Sequence, residues 1–332
     1  MATAFEDTVL VTGASGYLAC HVIQQLQCEG YRVRGTVRSL KNDKKCQPIR
    51  ELCPDAKHPV ELVEADLLKP ETWPAAVAGC SYVIHTASPF SFAEPKHPDD
   101  VIKPAVDGTL NVLRAVKGAR CVKRVVLTSS NVAICAAARE GKTYDETDWT
   151  DVNESTSAYV KSKTLAEKAA WDFVTALTGD DKFELAVMNP GFIIGPVLGL
   201  PDGASASMPK LFMERAVPAV FHLCYPTIDV RDVAAAHVIG MTLPEAAGKR
   251  HLLMTASMWF REMAQILYDE FHAHGYDVLT DEEPAKPDAP FIVEQCDNTR
   301  MLQVLKIKPR PLKESLIEMT RGLIDVGFIG KK

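Results

Sequence analysis

The sequence is poor in the features that mark several protein classes. Its nine cysteines, at 20, 28, 46, 53, 80, 121, 135, 224 and 296, include no CxxC pair, and their number is odd. That pattern does not suit a disulfide framework or a structural zinc site, and it fits a reducing compartment. No run of about 20 apolar residues occurs, so no membrane-spanning helix is expected. The N-terminus MATAFEDTVLVTG has no basic stretch leading into an apolar one, so a soluble, cytoplasmic protein is expected. Basic charge is not in excess either, since the formal net charge is −6. Nucleic acid and anionic membrane are therefore not expected as partners. His272-Ala-His274 has metal-like spacing, but no third histidine or carboxylate cluster accompanies it, and no metal site is expected. There is no internal repeat and no low-complexity tract.

What is present is an ordinary globular composition, 47% hydrophobic and 24% charged over 332 residues. The first two-thirds alternate short β-branched runs with longer helical patterns. Strands are expected at 8–12, 31–37, 60–65, 82–85, 124–128 and 183–188. Helices are expected after the first strand, over 98–118 and over 155–178. Strands separated by helices of this length make βαβ units, hence an α/β fold with a doubly wound parallel sheet. After Pro190 the texture changes to a Gly-, Pro- and Ser-rich stretch, then to short helices and proline-containing links. The expected division is a sheet domain over 1–192 plus 225–245. A smaller C-terminal substrate lobe then takes 193–224 plus 246–332. The acidic segment 145–151, with Trp149, is expected to form a flap before the long helix.

Thr12-Gly-Ala-Ser-Gly-Tyr-Leu-Ala19 follows the first strand and opens the first helix. Gly13 permits a tight turn, Gly16 lets a phosphate approach the backbone, and Ala19 lets helix and sheet pack closely. Gly13, Ser15, Gly16, Tyr17 and Leu18 are the expected pyrophosphate contacts at the helix N-terminus. At the end of the second strand stands Val37-Arg38-Ser39, with Lys44 and Lys45 beyond, and no carboxylate. A guanidinium holds a 2′-phosphate by bidentate bonds, which selects NADP(H) over NAD(H). Asp66 and Leu67 end the third strand, where the adenine is expected. Thr86, Ala87 and Ser88 end the fourth, beside the nicotinamide ribose.

The long helix carries an apolar stripe at 166, 170, 173, 174 and 177. Extended backwards at the same spacing, it passes through Lys163 and Tyr159. A phenol and an ammonium are thus expected on the inward face, where buried polar groups need partners. A carbonyl that receives hydride also needs a proton. A free phenol titrates near 10, and one positive charge about 5 Å away favours its anion by about 3 kcal/mol at an effective dielectric of about 20. Ser130, with Ser129 as the alternative, ends the fifth strand on the same edge and supplies a hydroxyl to polarise the carbonyl.

TGASGYLA at 12–19, TSS at 128–130 and YVKSK at 159–163 resemble the extended short-chain dehydrogenase/reductases. HTASPF at 85–90, NPGFIIGP at 189–196 and IDVRDVAAAHV at 228–238 narrow the resemblance. They are similar to the subgroup holding dihydroflavonol reductase, cinnamoyl-CoA reductase and the fungal methylglyoxal/isovaleraldehyde reductases. The resemblance implies NADPH-dependent reduction of an aldehyde or ketone, with Ser130, Tyr159 and Lys163 as the catalytic trio. It implies Arg38 with Lys44 or Lys45 on the 2′-phosphate, and Pro190, Gly191 and Ile193 along the nicotinamide. Phe90, Asn131 and Cys135 are the expected substrate-pocket residues. Cys135 stands where plant dihydroflavonol reductases carry a polar residue that holds the flavonoid. Two other readings stay open: an NAD-dependent sugar-nucleotide epimerase or dehydratase on the same fold, and a non-enzymatic NADP-binding regulator. The expected partner is a small carbonyl compound, and the chain is expected to be a monomer or a homodimer.

Overall fold

The computed structural model describes residues 7–88, 97–136, 139–200, 203–282 and 291–331. Twelve strands occur among them: β1 (Thr8–Thr12), β2 (Arg32–Val37), β3 (Glu61–Glu64), β4 (Tyr82–His85), β5 (Arg124–Thr128), β6 (Thr143–Tyr144), β7 (Glu184–Pro190), β8 (Phe192–Ile194), β9 (Cys224–Asp229), β10 (Arg250–Leu253), β11 (Ala256–Trp259) and β12 (Gln295–Cys296). The helices are α1 (Tyr17–Cys28), α2 (Asp43–Arg50), α3 (Trp73–Val77), α4 (Asp99–Ala119), α5 (Val132–Cys135), α6 (Ala158–Thr175), α7 (Ala204–Met213), α8 (Val230–Thr242), α9 (Phe260–Phe271), α10 (Thr299–Gln303) and α11 (Leu312–Asp325).

Seven strands form one parallel sheet in the order β10-β7-β5-β4-β1-β2-β3. The period-2 geometry of a strand divides its apolar residues between two faces. Val9 and Val11 of β1 pack in one cluster with Val22, Ile23, Val233 and Met241 of α1 and α8. Leu10 packs in the other with Trp73, Val112, Leu113 and Ala170 of α3, α4 and α6. Both faces are covered, which is why the central strands β1 and β5 carry continuous apolar runs rather than alternating ones.

The expected boundary at 246 differs from the structure. Arg250–Leu253 is the edge strand of the main sheet, parallel to β7. Leu253, Met301, Leu305 and Ile307 belong to the sheet's core. A strand of four residues that begins Arg-His has too short a period to stand out in the sequence. Strand β9 also departs from expectation: it pairs with β8 and β11 in a separate three-stranded sheet. That sheet adjoins a second apolar core, built from Phe212, Phe260, Met263, Leu267, Leu316, Met319 and Leu323. A third, two-stranded sheet joins β6 to β12.

Gly191 marks the passage from main sheet to second sheet. Its N–H donates to the Leu253 carbonyl at 2.9 Å, and a Cβ at this position would collide with the Pro226 carbonyl oxygen. Only glycine lets the two backbones approach this closely. Among the described residues no helix is long and apolar enough to cross a membrane.

Candidate active site

The order of strands reverses direction between β1 and β4, and sheets of this kind bind ligands in the crevice at that point. The loops after the two strands interlock there. Thr12 Oγ1 accepts from the Ala87 N–H at 3.0 Å and bonds His85 Nδ1 at 2.7 Å, while Thr86 Oγ1 donates to the Thr12 carbonyl at 2.6 Å. Gly13 has φ +65°, and a Cβ on it would lie 3.0 Å from Ala87 Cβ. Glycine is thus required for its backbone and for its space. The Gly16 N–H closes the turn on the Gly13 carbonyl at 2.8 Å, and α1 starts at Tyr17 with no side chain capping its first N–H groups. A partly exposed turn ending in an uncapped helix start is the cradle a pyrophosphate needs, and Ser15 lies in it.

The side chains of Tyr17 and Leu18 take no part in that cradle. The Tyr17 phenol donates to the Gly195 carbonyl at 2.7 Å, and burial, then Asp229, pushes its pKa well above the usual value. Leu18 is in the core, so these two residues offer the turn only backbone. Arg38 stands exposed just past β2, with Lys44 exposed and Lys45 half-buried on α2. Glu64, at the end of β3, accepts from the Leu40 N–H at 2.8 Å. Asp66 caps a turn, its Oδ1 accepting from the Leu68 N–H at 3.0 Å, and Leu67 packs beside Gly108 of α4. Ile193 packs at the margin of the sheet core. Phe90 lies outside the described residues.

Helix α6 begins at a Ser157 cap, whose hydroxyl accepts from the Val160 N–H at 3.3 Å. Tyr159 was expected on a buried inward face; instead it is 41% exposed. The first turn of α6 lies before the helix meets core, and burial starts only at Ser162. Lys163 is half-buried: its Nζ donates to Ser88 Oγ at 3.2 Å and lies 6.0 Å from the Tyr159 ring centroid. A cavity of about 20 Å³ lies beside Lys163, lined in part by Ala87, Ser88, Ser129 and Glu167. Burial first, and the Lys163 charge second, lower His85 to about 3, so it is neutral at physiological pH.

The two adjacent serines differ in their bonds. Ser129 Oγ donates to Glu167 Oε2 at 2.5 Å and is committed to a buried carboxylate. Ser130 Oγ has long contacts only, 3.4 Å to Asn131 Oδ1 and 3.4 Å from the Val132 N–H. The weaker ties leave Ser130 the hydroxyl that can turn to a ligand.

Glu167 and Arg250 were not singled out in the sequence. Glu167 is 1% exposed. It also accepts from Asn189 Nδ2 at 2.7 Å and pairs with Arg250 Nε at 2.6 Å. Arg250 donates to the carbonyls of Glu146, Asp148 and Ala133, and its guanidinium lies 3.8 Å from the centroid of the Trp149 ring. The segment 145–151 is therefore pinned to the edge strand and is not the expected flap. One signal was there to read: Tyr159, Lys163 and Glu167 follow at intervals of four, which continues charge onto the buried stripe. A larger cavity of about 390 Å³ opens beyond α5, lined in part by Ile134, Lys142, Tyr144, Trp149 and Val160, and it includes none of Ser130, Tyr159 and Lys163.

Fold and glycine turn together define a Rossmann-type α/β protein. The chain belongs to the NAD dependent epimerase/dehydratase family, whose model matches residues 9–254. It is 34% identical to the cinnamoyl-CoA reductase CAD2 of Medicago truncatula, over 97% of each chain. It is 32% identical to tetraketide alpha-pyrone reductase 1 of Arabidopsis thaliana, over 98% of this chain and 97% of that one. Among solved structures, yeast methylglyoxal/isovaleraldehyde reductase Gre2 complexed with NADPH superposes with a TM-score of 0.82. That likeness carries 29% identity and covers 97% of this chain and all of the other. The expected subgroup of the extended short-chain dehydrogenase/reductases is the one these relatives represent.

Proposed function

We propose that the protein is an NADPH-dependent carbonyl reductase that converts an aldehyde or ketone to its alcohol. The observation that carries the reading is Lys163, held by Ser88 at the β4 loop and set beside the accessible phenol of Tyr159. The reductase relatives, one of them solved with NADPH, support it. So does the glycine cradle, with Arg38 beyond β2 to take a 2′-phosphate. Bound there, NADPH supplies the hydride. Ser130 Oγ donates a hydrogen bond to the carbonyl oxygen and polarises it. Tyr159 gives the phenolic proton as that oxygen gains charge. Lys163 holds a positive charge near the phenol and is itself tied to the β4 loop through Ser88. Ser129 stays bound to Glu167 and fixes the end of β5.

The test follows NADPH oxidation against small aliphatic aldehydes, dicarbonyls, aromatic aldehydes and a dihydroflavonol. Turnover is expected with at least one class. Ser130→Ala should lower kcat about 100-fold or more, as loss of an oxyanion donor does. Ser129→Ala should act chiefly on thermal stability. The opposite ranking would make Ser129 the catalytic hydroxyl. NADPH binding without turnover on any class, or NAD co-purifying with the protein, would defeat the reading.

Arg38→Gln is expected to raise the KM for NADPH about 10- to 100-fold, the worth of a charge-assisted pair, and to leave that for NADH nearly unchanged. Equal effects on both cofactors would place the 2′-phosphate elsewhere.

A further inference from the structure

Beside Ser130 lies a carboxyl group that the reaction described above does not use. Glu294 immediately precedes β12, whose pairing with β6 fixes its height in the fold. Phe291, three residues earlier, packs on Trp259 with centroids 5.5 Å apart, and Ser257 Oγ donates to the Glu294 carbonyl at 3.4 Å. The chain here is held from both sides. Glu294 Oε2 accepts from Asn131 Nδ2 at 3.3 Å and lies 3.7 Å from Cys135 Sγ. Asn131 Oδ1 is in turn 3.4 Å from Ser130 Oγ. Two hydrogen bonds therefore separate the carboxyl from the hydroxyl that meets the carbonyl. Both contacts fall on Oε2, and among the described residues Oε1 has no hydrogen-bond partner. The residue is half-buried, and Oε1 keeps its capacity to accept a hydrogen bond.

We infer that Glu294 is a specificity-determining residue of the carbonyl pocket, and this rests on the reductase reading above. Its Oε1 accepts a hydrogen bond from a hydroxyl group carried by the substrate at a distance from the carbonyl. Its charge disfavours a substrate with a carboxylate in that place, because two like charges in a half-buried site repel. Among the described residues, the titratable groups near it are the Cys135 thiol of α5, itself bonded to Cys296 of β12, and Cys224 and Tyr225 of β9. The hydrogen bond with Cys296 first, and burial second, raise Cys135; burial raises Cys224 and Tyr225, so all three keep their protons and bring no charge. Burial also raises Glu294, to about 7, so an assay at pH 8.5 finds it ionised.

Three para-substituted benzaldehydes serve as rigid rulers: 4-(hydroxymethyl)benzaldehyde, the donor-free 4-ethylbenzaldehyde and anionic 4-formylbenzoate. NADPH oxidation at pH 8.5 gives kcat/KM for each. Ratios to the ethyl compound, compared between wild type and variant, cancel intrinsic reactivity. Glu294→Leu is expected to lower the hydroxymethyl/ethyl ratio about tenfold. Glu294→Gln keeps an acceptor oxygen, so it should lower that ratio only a few-fold. Both variants should raise the formylbenzoate/ethyl ratio at least tenfold. A change below twofold in both ratios, with all three aldehydes reduced, overturns the role of Glu294 and leaves the reductase standing. No oxidation of NADPH with any of the three, while another class of the panel above is turned over, overturns the role of Glu294 alone; no turnover with any class overturns both.

Discussion

Tyr159→Phe is expected to lower kcat by about 10²- to 10⁴-fold while NADPH still binds, the range seen when a positioned acid is lost. The change removes one oxygen and little packing, since the ring is already 41% exposed. Thermal stability should therefore stay within about 0.5 kcal/mol of wild type. Lys163 keeps its bond to Ser88 in this variant, so the β4 loop and the cradle beside it are undisturbed. NADPH fluorescence measures the binding and nicotinamide absorbance the turnover. Full activity in the variant would remove Tyr159 as the proton donor and with it the central step. Loss of both turnover and cofactor binding would mean that the phenol holds the cofactor rather than the substrate.

Arg250→Met should produce the largest loss of stability. It leaves the Glu167 carboxylate buried, with hydrogen bonds from Ser129 and Asn189 but no cation. Breaking a buried pair on one side costs about 3–5 kcal/mol, because an uncompensated charge stays in a poor solvent for it. It also takes away the donors to the Glu146, Asp148 and Ala133 carbonyls and the face over Trp149. For a chain of 332 residues the melting temperature should fall by roughly 4–7 °C. Adding Glu167→Met to Arg250→Met removes the stranded charge and should restore part of that loss. Calorimetry of the two single variants and the double one gives the coupling. A double variant no better than the sum of the singles would show that the pair contributes no net attraction.

Several parts of this architecture are legible in the sequence. The strands at 8–12, 82–85 and 124–128 agree to the residue, because they are largely buried apolar runs rich in β-branched residues and closed by turn signals. The glycine turn was readable because only glycine tolerates the Gly13 backbone and the nearness of Ala87. Helix α6 was expected over 155–178 and spans Ala158–Thr175, its start set by the Ser157 cap. The stripe that led back to Lys163 and Tyr159 was correct in phase. It was wrong in depth, since helical period reports which face a residue takes and not how far the core extends beneath it.

The sequence by itself determined the α/β class and the glycine turn between β1 and α1, and it singled out Ser130 or Ser129, Tyr159 and Lys163 as candidates. Each depends on local pattern: period, turn chemistry and the order of elements. Only the tertiary structure decided which serine is occupied, that the 145–151 segment is pinned by Arg250, and that Glu294 stands beside Asn131. Glu167 and Arg250 are 83 residues apart, and Asn131 and Glu294 are 163 apart. No local period carries information over such distances. The pairs exist because packing two faces of one sheet, and a second sheet against its edge, brings remote side chains into a medium where each must find a partner.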